Sequence, residues 1–116
     1  MKKLLVLALI ILTAKGSSTK VVNIKNELSS VTDYWNLKTI GFLGDRKVKV
    51  GKLKGPFNWH HHEKEDEMFF VLKGHLIIHL RNEEDIHIHE GELAVIPRLL
   101  EHNPEAPEEV EAILIR

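Results

Sequence analysis

The residues most able to do chemistry in this chain lie in the run Trp59-His60-His61-His62-Glu63-Lys64-Glu65-Asp66-Glu67. Imidazole nitrogens and carboxylate oxygens are donors that suit a first-row divalent cation. In an extended segment the side chains alternate between faces, so His60 and His62 project together while His61 points the other way. Glu67 follows after a loop of four residues and opens an apolar run, Met68 to Leu72, so on a strand it can face the same interior. A fourth donor has to come from elsewhere in the sequence. His102, just after a strand that Pro97 ends, is the candidate. The chain has no cysteine, which leaves nitrogen and oxygen as the only strong ligands and rules out disulfides and a thiol nucleophile.

These donors need a rigid frame, and the rest of the sequence reads as short strands. Leu37 to Phe42 and Lys47 to Leu53 flank Gly44-Asp45, a hairpin signal. Alternation from Val48 to Leu53 gives one wet and one buried face, and Gly55-Pro56 is expected to break that run. Further strands are expected at Asn58 to His62, Glu67 to Leu72, His75 to Leu80, Ile86 to His89 and Leu93 to Ile96. Pro104 and Pro107 are expected to keep the next stretch irregular before a last strand, Val110 to Ile115, with Val110, Ala112 and Leu114 on one face. Upstream, Val21 to Leu28 reads as a short strand and a turn of helix, with Asn23 as its cap. Roughly eight to ten short strands with frequent turns mean an all-β fold, an antiparallel sandwich or barrel.

The same alternation says what surrounds the donors. If Glu67 faces inward, so do Phe69 and Val71, and Leu76, Ile78, Leu80, Ile86 and Ile88 join them from the next two strands. The expected cavity is mostly apolar and suits a small-molecule ligand that offers oxygen to the metal and carbon to the walls. Asn58 shares the parity of His60 and could reach the mouth, whereas Trp35 and Trp59 read as packing residues. His75, His79, His87 and His89 fall on the outer face, with His79 expected opposite His87 or His89. They read either as a half-exposed sheet face or as an exterior metal or proton-sensing patch. Glu63, Glu65 and Asp66 read as a solvated acidic loop.

Taken in order, these residues resemble the two motifs of the cupin superfamily. The first motif, a glycine, His-x-His, four residues, Glu, six residues and Gly, reads here as Gly55, His60, His62, Glu67 and Gly74. Four rather than five residues separate Gly55 from His60. The second motif, a glycine, five residues, Pro-x-Gly, two residues, His, three residues and Asn, reads as Gly91, Pro97 and His102. Leu99 stands in place of its second glycine and Ala106 in place of its asparagine. Leucine is disfavoured at positive φ, so the turn that aims His102 is where this chain departs from the pattern.

The resemblance covers about residues 20 to 116 and implies a double-stranded β-helix, the jelly-roll barrel, with a divalent metal inside one end. It implies His60, His62, Glu67 and His102 as the ligands, and homodimers are common among such proteins. Mn, Fe, Ni, Cu and Zn all fit an imidazole–carboxylate set. Small single-domain cupins are often similar to mannose-6-phosphate isomerase-like proteins, and relatives of this size include dioxygenases and isomerases. The residues favour a metal-binding protein that takes a small ligand, because no inward Lys, Tyr or Asp is evident as a general base and no arginine pair as a phosphate grip. The enzymatic alternative is a metal-dependent dioxygenase ahead of a sugar isomerase, since a dioxygenase asks less of the side chains.

Composition narrows the partners. Sixteen basic and seventeen acidic residues nearly cancel, without the basic stripe that nucleic-acid binding requires. Residues 1–16 differ in kind from the rest: Met1-Lys2-Lys3, the apolar run Leu4 to Leu12, then Ala14-Lys15-Gly16. That order is expected of a secretory signal peptide, which favours export to the periplasm or exterior over the cytoplasm. The run is too short for a stable membrane span, which needs about 20 apolar residues.

Overall fold

The computed structural model describes residues 19–116, so the apolar leader and the export expectation lie outside the described residues. A six-residue helix α1 (Ile24–Ser29) comes first, its N-terminus capped by Asn23, whose side chain accepts from the Asn26 amide at 2.9 Å. Seven strands follow: β1 (Lys38–Leu43), β2 (Arg46–Pro56), β3 (Glu67–Lys73), β4 (His75–Leu80), β5 (Ile86–His89), β6 (Leu93–Ile96) and β7 (His102–Ile115). All paired strands run antiparallel, in the order β1-β2-β7-β3-β6, with β4 joined to β7 and β5 joined to β4. The all-β jelly-roll expectation is what the chain adopts. No helix among the described residues is long and apolar enough to cross a membrane.

Two strands are longer than the sequence suggested. β2 continues through Gly55-Pro56, which pair with Ala106 and Glu105 after a register shift at Leu53/Gly55. The extra residues of this bulge lie on β7, between Ala106 and Val110, so β2 bends there instead of ending. β7 likewise runs on through Pro104, while the exposed Pro107 to Glu109 form the irregular stretch expected there and pair with no neighbouring strand. Pro104 has no N–H to give, but its carbonyl accepts from the Phe57 amide at 3.0 Å. The expected strand at Asn58 to His62 is a single bridge, His60 opposite His102. The short strand expected near Val21 does not form.

β7 organises the molecule. Its second half lies between β2 and β3, with Ile113 opposite both Val50 and Phe70, while its first half pairs with β4. The inner face is one cluster that includes Leu53, Phe69, Val71, Leu76, Ile78, Ile88, Ile96, Val110, Ala112 and Leu114. Burial of each large aliphatic or aromatic side chain contributes about 1.5–3 kcal/mol. On the other side of β2, Val50 is fully buried, and α1, with its buried Leu28, packs against that strand. The alternation that buries Phe69 and Val71 also turns Glu67 inward, and the one that buries Leu114 also turns His102 inward. A one-residue slip of either strand would expose its core residues and its polar site residue together.

Candidate metal centre

His60 and His102 exchange two backbone bonds: the His60 amide donates to the His102 carbonyl at 3.0 Å, and the reverse bond is 2.9 Å. Residues paired in this way project to the same face, and their rings lie 4.4 Å apart. The Leu99 amide donates to the His62 carbonyl at 2.7 Å, which fixes the next alternate residue. Glu67 begins β3 opposite Ile96, the last residue of β6. One donor atom from each of His60, His62, Glu67 and His102 lies within 4.8 Å of the others. Ligands held about 2.0–2.2 Å from a common ion sit at most about 4.4 Å apart, so small side-chain rotations bring all four onto one cation. The four sequence candidates therefore meet, and the donor set fits a divalent metal.

The surroundings aim the rings. His60 Nδ1 lies 2.9 Å from the Asn58 carbonyl and His102 Nδ1 lies 2.9 Å from the Leu100 carbonyl. A carbonyl only accepts, so in both rings Nδ1 carries the hydrogen and Nε2 is the atom presented to the site. Glu67 Oε1 lies 3.1 Å from His62 Nε2 and 3.3 Å from His102 Nε2. Burial raises the Glu67 carboxyl's pKa, but the bond from His102 and the charges of His62 and Arg116 outweigh it and hold the group below its usual range. Burial, only partly offset by Glu67, lowers the His62 pKa and favours the neutral imidazole that a metal needs. For His102, burial acts downward and is overcome by Glu67 and the Leu100 carbonyl, leaving its pKa raised. His61 lies on the surface, 3.6 Å from Glu63.

The turn carrying Leu99 takes the left-handed conformation without the family's glycine, at φ 73°. Such a backbone costs a non-glycine residue roughly 1–2 kcal/mol. The loop between His62 and Glu67 holds it in place. Asp66 accepts from the Arg98 amide at 2.9 Å, and Arg98 donates from Nη1 to the Glu63 carbonyl at 3.1 Å. The acidic loop is thus not merely solvated; Asp66 anchors the turn that leads to His102.

A cavity of about 320 Å³ opens beside the donors and is bordered by His60, His62 and Glu67, with His102 buried behind them. Its apolar walls are Trp35, Leu37, Leu53, Phe57, Phe69 and Leu114, and Asn58 reaches it as expected. The walls expected from β4 and β5 are not there. Leu76, Ile78 and Ile88 are at most 2% exposed and pack within the core cluster. Trp35, read as a packing residue, lines the cavity instead: its indole Nε1 donates to the Lys54 carbonyl at 2.8 Å and its ring stacks on Phe57 at 4.9 Å. Trp59 points outward beneath Arg81, 4.0 Å away. Arg116 also borders the cavity, with Nε 3.6 Å from Glu67 Oε2. Sequence reasoning missed it, although it has the parity of Val110, Ala112 and Leu114.

On the outer face, β4 and β5 put His75 opposite His89 and Ile77 opposite His87, so His79 lies beyond both partners expected for it. His79 is held instead between Asp85 at 2.9 Å and Glu105 at 2.8 Å through opposite ring nitrogens. Two nitrogens on opposite sides of a ring cannot chelate one ion with those carboxylates. Among the described residues, only the inner four converge as a candidate metal centre.

Known proteins share this fold. The chain is 35% identical to a cupin-2 domain-containing protein of Shewanella frigidimarina of known structure, over 83% of this chain and 93% of that one, with a TM-score of 0.79. A Neisseria meningitidis protein of known structure is 28% identical over 83% of this chain and 97% of its own, with a TM-score of 0.77. The uncharacterized protein YdbB of Bacillus subtilis is 32% identical over 60 residues, about half the length of each chain. The profile of the cupin domain family matches residues 46–115, so this chain belongs to the cupin domain family.

Proposed function

We propose that this protein binds one divalent transition metal through His60, His62, Glu67 and His102 and presents it to a small-molecule ligand in the adjoining cavity. The observation that supports the reading is the convergence of four donors from three separate segments at one end of an apolar cavity. Three imidazoles and one carboxylate accept Mn, Fe, Ni, Cu or Zn. Such an ion supplies Lewis acidity toward an oxygen donor of the ligand. The chain's own residues shape the ligand: the Trp35, Leu37, Phe57 and Phe69 walls take carbon, and Asn58 offers an amide. Apart from the donors themselves, the cavity lining offers no tyrosine or aspartate as a general base, which favours binding over proton-transfer catalysis.

The test is metal uptake by the purified protein and its single-site variants, measured by elemental analysis after loading and desalting. Wild type and His61→Ala should retain about one equivalent of Zn or Co per chain, while His60→Ala, His62→Ala and His102→Ala should each lose it and keep a β-type circular dichroism spectrum. Uptake that survives in the His60 and His102 variants would remove the basis of the proposal.

A further inference from the structure

Arg116 borders the same cavity, and the strand register places two lysines beside it. Arg116 and Lys47 exchange backbone bonds of 3.0 and 3.1 Å, so their side chains share a face. Met68 lies opposite Ile115, which puts Glu67 across from Arg116 on the other flank of β7. Lys49 lies opposite Leu114, a cavity wall, and therefore projects inward as well. Arg116, just past β7, thus shares one face with Lys49 and the exposed Lys47 of β2, with Glu67 as the acid adjoining them. Arg116 Nε is buried with no hydrogen-bond partner, because Glu67 Oε2 at 3.6 Å is beyond bonding distance. The Lys49 ammonium is lowered in pKa, first by burial and then by repulsion from Arg116 and Lys47, with Glu67 opposing. Like charges held together in this way leave an unmet demand for an anion.

We infer that the ligand of this cavity is a small organic carboxylate whose carboxylate head sits between Arg116, Lys49 and the metal centre and whose apolar body lies along Trp35, Leu37 and Phe57. The inference deepens the proposed function and rests on it for the metal. The planar guanidinium fork pairs with the two oxygens of a carboxylate. The walls accept carbon and offer few polar groups, so charge recognition falls to the rim. A neutral ligand of the same shape would leave the cations as they are and gain only its apolar burial.

The experiment uses cyclohexanecarboxylate as the probe and cyclohexanecarboxamide as its neutral counterpart. Both are titrated into cobalt-loaded and metal-free protein, by visible absorption of the cobalt and by calorimetry. The carboxylate should bind the loaded protein at least about tenfold more tightly than the amide. Lys49→Met should lose most of that preference while still taking up cobalt, and Arg116→Lys should keep more of it than Arg116→Met. Equal binding of the two probes to cobalt-loaded wild type overturns the inference and leaves the metal proposal standing. Failure of wild type to take up cobalt overturns the metal proposal instead. Calorimetry on the metal-free protein then decides the carboxylate reading: a preference that Lys49→Met abolishes supports it, and no preference overturns it.

Discussion

Gly74→Ala separates steric exclusion from backbone strain at the residue that closes the first sequence motif. Gly74 sits between β3 and β4 at φ 95°, a conformation that L side chains rarely adopt. A Cβ built there falls 2.7 Å from the Glu109 carbonyl oxygen, 3.1 Å from Val110 Cγ2 and 3.3 Å from Val110 Cα. Two of these three neighbours are backbone atoms of β7, the strand that organises the barrel, so they cannot turn aside as a side-chain tip could. Strain contributes roughly 1–2 kcal/mol. Overpacking adds typically 1–3 kcal/mol. Less the roughly 0.4–1 kcal/mol that alanine's smaller unfolded-state entropy returns, the net is about 3 kcal/mol, or roughly 12–24 °C in Tm for a domain of about 100 residues. Gly44, in the β1–β2 turn at φ 65°, meets nothing within 4 Å, so Gly44→Ala carries the strain alone. The smaller unfolded-state entropy of alanine returns about 0.4–1 kcal/mol of that, for a net loss near 1 kcal/mol or less. Urea unfolding of both variants gives the contrast directly. If the two differ by less than about 0.5 kcal/mol, β7 is not pressed against Gly74 and the explanation of that motif glycine is wrong.

Three further outcomes are expected. Zinc at a hundred times its dissociation constant should stabilise the protein by about 2.7 kcal/mol, and a chelator should remove that gain from wild type but find nothing to remove in His62→Ala. The His79 pKa is raised by bonds to Glu105 and Asp85, so its contribution to stability is fully present below the unfolded value near 6.5 and is lost as pH rises through the higher folded value. Replacing both acids by amides (Asp85→Asn with Glu105→Gln) should therefore destabilise at pH 6 and leave stability unchanged well above neutrality. An equal loss at both pH values would refute the linkage. Phe69, 1% exposed and edge-on to His102 at 6.3 Å, should cost about 3–5 kcal/mol as Phe69→Ala in denaturant titration, whereas Phe69→Leu should retain most of the stability.

Three of the donors were legible in the sequence because two local rules coincide: alternation puts His60 and His62 on one face, and the start of an apolar strand turns Glu67 toward the core. His102 was legible from its place after Pro97 in the second motif. The fold class was legible for the same reason, since Phe69, Val71, Leu76 and Ile78 repeat with period 2. What failed was local punctuation. Gly55-Pro56 and Pro104 read as strand breaks, yet a bulge and a borrowed carbonyl let β2 and β7 run on, because long-range pairing outweighs a missing donor. Leu99 contradicted its turn by propensity, and only the bond its amide donates to the His62 carbonyl and the support of Asp66 and Arg98 explain how it holds. The cavity walls were misplaced because alternation says which side chains point inward but not at which end of a barrel they gather. Arg116 lay one step beyond a stripe already recognised, and extending Val110, Ala112 and Leu114 by two residues would have reached it.

β7 has a geometric consequence of its own. Fourteen residues of straight strand would span about 46 Å, yet His102 at its start and Arg116 just past its end both approach the carboxylate of Glu67. β7 must therefore bend strongly on itself, and Glu67 sits between the side chains from its two ends, like the catch of a bracelet. An ion caught there would tie the curl shut, linking how tightly the site holds its cargo to how readily the whole wall springs open.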